Sequence, residues 1–373
     1  MKPLVLIPNG DGDASFFYAT GFAVETGVYV RFPDGEDVLS VSPLEFDRAR
    51  EQSSAGRVEV DREAYQQDAW AALAAAMVRR KGFDAVRVSA NLRAADLEDL
   101  RAAGLDVEVD RDLFRAERRQ KGPEQVAAIL EAQQAAEAAV VEVARNLARA
   151  DIKDGELWLD GSRLTSERLN AAAQSALAEL GFVCPEMIIA GSPGCALPHF
   201  LGEGPIQANA PVIIDIFPSS RRTHYYGDLT RTLVVGKVSD DVRRMHEAAV
   251  QALEAGIESI RAGVTGRDVH RIVCQVLVDR GYGTTTAGFE GPDGVAKMNH
   301  STGHGVGLEV HELPGLREVA AYPLSDGDVV TVEPGLYLLG MGGVRVEDTG
   351  MVTSNGFQNF TKLTYSLDPR DYL

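Results

Sequence analysis

The sequence predicts an α+β protein of two domains, a small α/β domain over residues 1–118 and a larger α+β domain over residues 119–373. Three observations predict it. A chain of 373 residues is longer than one hydrophobic core usually serves. In the opening part, short β-like runs alternate with helical stretches. Beyond Pro123, helices and strands come in blocks, which is the pattern of an α+β domain.

Within residues 1–118 the strand-like runs are 28–32, 38–41, 85–88 and 107–109. The clearest helix is 62–80, rich in Ala and ending before Lys81-Gly82. Residues 112–122 are crowded with Arg, Lys and Glu and read as the crossing between domains. From Pro123 a long helix runs to about residue 150, since Pro suits a first helical position and Ala, Glu and Gln fill the exposed sites. A second helix at 166–180 is stopped by Gly181, and strands follow at 186–190, 212–216 and 230–235. A further helical pair covers 240–262 and 267–280, the second opened by Thr265 and Asp268 in a capping-box pattern. The Gly-rich final part carries strands at 329–332, 335–339 and 343–346. The two halves of residues 119–373, each a helix pair followed by strands bearing acidic residues, resemble an internal duplication.

Composition narrows the function. The longest apolar runs, 211–216 and 233–235, are strand-sized and far too short to span a bilayer, so no membrane partner is expected. The opening MKPLVLIPNGDGD turns acidic after a brief apolar stretch and lacks a small-residue cleavage site, so the cytoplasm is the expected compartment. A net charge of −18 argues against nucleic acid as a partner, because phosphate binding needs a basic footprint. Cys184, Cys195 and Cys274 are too scattered for a disulfide framework or a zinc ribbon and are expected as buried small apolar residues.

The chemistry lies in a few carboxylates and histidines. Asp215 sits inside the apolar run Val212-Ile213-Ile214-Asp215-Ile216-Phe217, where a charge is costly unless compensated. The chain returns at Tyr226-Gly227-Asp228-Leu229-Thr230-Arg231-Thr232, and a hairpin with a polar tip at 219–224 would bring Asp215 and Asp228 together. Two adjacent carboxylates repel, and a cation between them is the natural remedy. His300, His304 and His311 fall within twelve residues, interleaved with glycines that suit a backbone passing close to metal or substrate. Glu333 ends an apolar strand. Arg345 and Glu347, two residues apart, would share one strand face, either as a structural ion pair or as part of the site.

In chain order, D-x(12)-D-L-T-R-T, H-S-T-G-H-G-V-G-L-E-V-H-E, T-V-E-P-G and G-V-R-V-E-D resemble the pita-bread metallopeptidases. That group comprises methionine aminopeptidase, Xaa-Pro aminopeptidase, prolidase and the non-metal enzyme creatinase. The resemblance covers residues 120–365 strongly, and Ser15-Phe16-Phe17-Tyr18-Ala19-Thr20-Gly21-Phe22 extends it to a creatinase-like N-terminal domain. It implies a pita-bread fold for the second domain and two divalent ions held by Asp215, Asp228, His304, Glu333 and Glu347, with Asp228 and Glu347 bridging. It also implies that His199 touches substrate, that His300 and His311 line the scissile bond, and that Arg345 holds the bridging carboxylates. A donor set of four carboxylates and one imidazole suits Mn²⁺, with Co²⁺ or Zn²⁺ as alternatives.

The expected reaction is hydrolysis of short peptides before proline by an Xaa-Pro aminopeptidase or dipeptidase. The cations acidify a shared water, Glu333 shuttles its proton, and an imidazole at His300 or His311 meets the oxyanion. His300 and the extra N-terminal domain resemble this branch rather than methionine aminopeptidase. The intact carboxylate set separates the chain from creatinase-like relatives without metal. The family also implies a homodimer. The sequence departs from the family at Asp215-Ile216-Phe217, where Asp-x-Gly is usual, and in a longer separation between the two Asp ligands. That departure bears on substrate preference more than on metal binding.

Overall fold

The computed structural model describes residues 1–373. The chain divides into two compact units, Met1–Arg118 and Arg119–Leu373, and mixes helices with sheet throughout.

The first unit is built on one six-stranded sheet. Its strands run Val58–Val60, Asp37–Val41, Gly27–Arg31, Leu4–Leu6, Ala85–Ser89 and Asp106–Asp110 from edge to edge. Successive side chains of a strand point to opposite faces. Accordingly Val5, Val28, Val30, Val38 and Val86 enter one core cluster, while Leu4, Leu6, Tyr29 and Leu39 enter another. Burial on both faces explains why these strands read as unbroken apolar runs. The helix predicted over 62–80 is two helices, Arg62–Gln67 and Trp70–Arg80, because Asp68 takes a left-handed conformation at φ 50°. Asp is among the few residues that tolerate it. The break turns Trp70 inward, where it is 1% exposed beside Ala71, Ala74 and Val78.

The second unit repeats one arrangement. Helices Pro123–Ala148 and Ser166–Glu179 pack with an antiparallel sheet of Ile188–Gly191, Pro211–Ile216 and Leu229–Val234. The Ala-rich stripe Ala132, Ala135, Ala136 and Ala139 lets the long helix lie close, with Leu157, Leu169 and Ile214 completing the core. Helices Asp240–Ser259 and Gly266–Asp279 pack likewise with a five-stranded sheet. Its order is Glu312–Leu316, Gly303–Gly305, Val329–Val332, Asp348–Thr353 and Gly356–Asn359. The capping box at Thr265 forms as the pattern predicts: Thr265 Oγ1 accepts from the Asp268 N–H at 3.1 Å and Asp268 returns the bond.

Two features depart from the sequence reading. Strands Asp151–Lys153, Glu156–Leu159 and Ser162–Arg163 form a small meander that hydrophobic periodicity does not reveal. The signal was in the turns: Asp154-Gly155 and Asp160-Gly161 both have positive φ at both residues, the geometry of a type I′ hairpin. The strand predicted over 343–346 is Gly342–Arg345, so Glu347 falls in the link before Asp348–Thr353. All three cysteines are buried and free, and no helix is long and apolar enough to cross a membrane.

His246, on the Asp240–Ser259 helix, is buried with no hydrogen-bond partner for Nε2. Burial, aided by Arg231, holds its pKa down at about 4. Its neutral form is native, so its share of stability is complete above the unfolded value near 6.5 and is lost as pH falls towards 4. Urea melts at pH 7 and pH 5 are expected to differ by about 2 kcal/mol more in the wild type than in His246→Leu. Equal differences in both proteins would contradict this.

Candidate metal centre and active site

Strand pairing brings the acidic residues together. Pro211–Ile216 pairs antiparallel with Leu229–Val234, Asp215 opposite Thr230, so Asp228 lies one step beyond the register at the same end. The Asp228 backbone is fastened twice: its N–H donates to Gln133 Oε1 at 2.9 Å and its carbonyl accepts from Thr349 Oγ1 at 2.8 Å. Gln133 is fully buried on the long helix, and its amide donates on to Thr361. Glu347 reaches the hairpin through Thr230, whose carbonyl accepts the Glu347 N–H at 3.0 Å and whose hydroxyl donates to Oε2 at 2.7 Å.

Asp228, His304 and Glu347 converge, with one donor atom from each lying within 4.8 Å of the others. Glu333 joins at His304, its Oε1 3.7 Å from Nε2, and Asp228 Oδ2 lies 3.6 Å from the same nitrogen. His304 Nδ1 faces the Gly305 carbonyl at 3.2 Å, and a carbonyl only accepts, so Nδ1 carries the proton. Nε2 therefore presents a lone pair to two carboxylates at distances too long for hydrogen bonds. Asp215 Oδ1 is buried with no hydrogen-bond partner.

Electrostatics report the same crowding. Burial, then Glu347, Asp215 and Glu333, push the Asp228 carboxyl well above its usual range. Burial, then Glu333 and Asp215, do the same to Glu347, and burial raises Glu333 to about 8. Burial holds His304 at about 3, so it stays neutral. Three carboxylates gathered at an imidazole lone pair, with Asp215 close enough to raise their pKa values, are what a hard divalent cation resolves. The residues present fit such ions.

Several predicted roles change with the geometry. Arg345 does not pair with Glu347 or hold the two predicted bridging carboxylates. Its guanidinium donates to Asp215 Oδ2 at 2.5 Å and to the Tyr337 hydroxyl at 2.8 Å. Glu347 lies outside the strand that ends at Arg345, in the link to Asp348–Thr353, and the two meet only through the Thr230 hydroxyl. His300 is internally satisfied: Nδ1–H donates to the Ser301 carbonyl at 2.7 Å and Nε2 accepts from the Tyr337 O–H at 2.9 Å. Burial and then Arg345 hold it at about 3. The glycines around His304 serve the protein rather than a ligand. A side chain at Gly303 would strike the Thr331 carbonyl, and one at Gly307 would strike the Glu312 carboxylate. His311 is exposed and stands edge-on to His304 with ring centroids 4.3 Å apart. His199 and His300 share a cleft of about 530 Å³ walled by Leu197, Pro198 and Phe200.

Sequence reasoning passed over Arg231, Thr230, Gln133 and Tyr337. Arg231 is fully buried, and its guanidinium donates to the carbonyls of Thr230, Glu347, Leu363 and Thr364 and to Asp348 Oδ1. It ties the Asp228 hairpin, the Glu347 link and the C-terminal tail into one piece. An Arg inside the β-forming run Leu229-Thr230-Arg231-Thr232-Leu233 was the available signal, since a buried cation in a strand demands a partner.

An α+β scaffold that converges buried carboxylates on a bare imidazole nitrogen defines a divalent-metal hydrolase. The chain belongs to metallopeptidase family M24, whose family model matches residues 127–354. It is 28% identical over 349 residues to an Xaa-Pro dipeptidase of Pyrococcus horikoshii, spanning 93% of this chain and 90% of that one. It superposes on a prolidase from Pyrococcus horikoshii with a TM-score of 0.81 at 25% identity, covering 98% of this chain and 95% of the other. An X-Pro aminopeptidase from Thermotoga maritima shares the fold at a TM-score of 0.82 and 22% identity, covering 98% and 97%. The chain is a metallo-exopeptidase, and the non-metal creatinase alternative is not favoured.

Arg231→Met removes every one of these bonds and leaves Asp348 buried beside an apolar side chain. Urea denaturation is expected to show a loss of about 3–5 kcal/mol. A change below about 1 kcal/mol would mean that Arg231 is not the tie described.

Proposed function

We propose that this chain hydrolyses the peptide bond before proline in short peptides, as an Xaa-Pro dipeptidase or aminopeptidase. The observation that carries the metal-dependent part is the His304 Nε2 lone pair facing Asp228 and Glu333 at 3.6 and 3.7 Å, too far for hydrogen bonds. The similarity to an Xaa-Pro dipeptidase over nearly the whole of both chains supports the proline preference.

In this reading Asp215, Asp228, His304, Glu333 and Glu347 hold two divalent ions. Bound there, the ions supply Lewis acidity that polarises a carbonyl and makes water acidic near neutral pH. Glu333 is the proton carrier. Its side chain is 17% exposed, against 4% for Asp228, so it can reach both the water and the departing nitrogen. That nitrogen belongs to a tertiary amide and leaves as a secondary amine, which requires a proton. His311, exposed above His304, donates to the oxyanion, while His300 has both nitrogens committed and instead shapes the wall of the cleft. His199 and the apolar Pro198 and Phe200 receive the substrate side chains. Arg345 holds Asp215 in place. The oxygen-rich donor set supports Mn²⁺ as the resident ion. The family resemblance supports a homodimer.

Chelator-stripped protein is expected to be inactive and to recover with Mn²⁺ on Gly-Pro-type dipeptides, longer Xaa-Pro peptides or both. Cleavage of dipeptides alone assigns the dipeptidase. Cleavage of Met-initiated peptides with neither Xaa-Pro class cut would refute the proposal. Glu333→Ala is expected to abolish turnover and weaken metal binding, and near-normal activity would remove Glu333 from its role. His311→Ala is expected to lower kcat by about 10²–10³ with metal content unchanged. Loss of metal in that variant would contradict the assignment.

A further inference from the structure

His270 lies on the Gly266–Asp279 helix, outside the cluster of carboxylates, and is 2% exposed. Both ring nitrogens are engaged. Nδ1 is 2.9 Å from Thr302 Oγ1 and Nε2 is 2.8 Å from Thr286 Oγ1. These two threonines flank the segment that carries His300. Thr286 follows Thr285, whose N–H donates to the Met298 carbonyl, and Thr302 lies two residues beyond His300. Thr302 is itself fully buried and sits at a junction. Its N–H donates to the Leu316 carbonyl at 2.9 Å, and its own carbonyl accepts the N–H of Glu333 at 2.8 Å. The neighbouring Ser301 carbonyl holds His300, and His304 lies two residues beyond Thr302.

We propose that His270 is a positioning residue for the reaction: its Nδ1 bond to Thr302 fixes the carbonyl from which Glu333 is suspended, and so the placement of Glu333 relative to His300 and His304. Thr302 lies in a bend directly before the strand Gly303–Gly305, so a shift of its peptide passes to the Glu333 backbone through the Thr302 carbonyl. Misplacement of a proton carrier by a fraction of an ångström to one ångström costs turnover far more than binding. The Nε2 bond to Thr286 secures the ring without touching Glu333. The proposal rests on the peptidase reading for its kinetic test and on geometry alone for the second.

Amide substitutions separate the two nitrogens. Asn places its amide where Nδ1 lies, and Gln places it where Nε2 lies. On metal-reconstituted enzyme with an Xaa-Pro substrate, His270→Asn is expected to keep kcat within about threefold, while His270→Gln and His270→Leu lower it by about tenfold or more. KM should stay within about twofold and metal content should not change. Thr302→Val is expected to reproduce the loss and Thr302→Ser to restore it, which keeps the test available if His270 variants do not fold. Hydrogen exchange at the Glu333 amide supplies a readout independent of activity, expected to accelerate in His270→Leu and Thr302→Val and to stay slow in His270→Asn. Equal kcat in His270→Asn and His270→Leu, wild-type kcat in Thr302→Val, or an unchanged Glu333 exchange rate in His270→Leu would overturn the proposal. A wild-type enzyme that cuts no Xaa-Pro peptide would instead refute the function, and the exchange rates would still decide the role of His270.

Discussion

Asp228, Glu333 and Glu347 are carried into the protein interior within reach of one another and of the His304 Nε2 lone pair. Everything else in the second unit is arranged around that repulsion. Burying a carboxylate without a partner costs several kcal/mol, and several together cost more than a domain of ordinary stability can spare. The raised pKa values of Asp228, Glu333 and Glu347 express this cost, and a divalent ion relieves it. In the proposed function, the same crowding that destabilises the acids is the source of the site's affinity for cations.

The scaffold meets the cost by division of labour. Side chains that touch the carboxylates are distinct from those that hold their backbones. Arg345 and Thr230 contact the acids, through Asp215 and Glu347. Arg231, Gln133 and Thr349 grip the main chain on either side of Asp228 and Glu347. Arg231 spends its hydrogen bonds on four carbonyls and one carboxylate, so its charge neutralises Asp348 rather than the site. The positions of these acids are then set largely by bonds to the backbone around them. His300 follows the same logic. Tied to Ser301 and Tyr337, it has both ring nitrogens engaged within the protein.

Much of the site was legible because charge inside apolar runs is a strong signal. Asp215 interrupts a buried apolar strand, Asp228, Glu333 and Glu347 lie just outside the ends of others, and the structure brings three of these acids to His304. The supporting residues were not legible for a physical reason. Thr230, Thr302 and Gln133 are ordinary in strands and helices, and their importance comes only from partners more than a hundred residues away or on another element. The Arg345–Glu347 face argument failed because the strand ends between them. Periodicity passed through Asp68 because a left-handed residue leaves no mark on an apolar pattern, yet the Asp-Gly turns at 154–155 and 160–161 could have been read directly.

Direct measurement of ion binding with its proton balance tests the central claim best. Stripped protein is titrated with Mn²⁺ at pH 7 by calorimetry in buffers of different ionisation enthalpy, with elemental analysis of the product, beside an Asp228→Asn/Glu347→Gln double variant. Two equivalents bound by the wild type with release of protons, and a double variant that binds less than one, is the outcome required by carboxyls whose pKa values are raised until a cation displaces the proton. Wild-type protein that binds no divalent ion, or a double variant that binds as many with the same proton release, would contradict it.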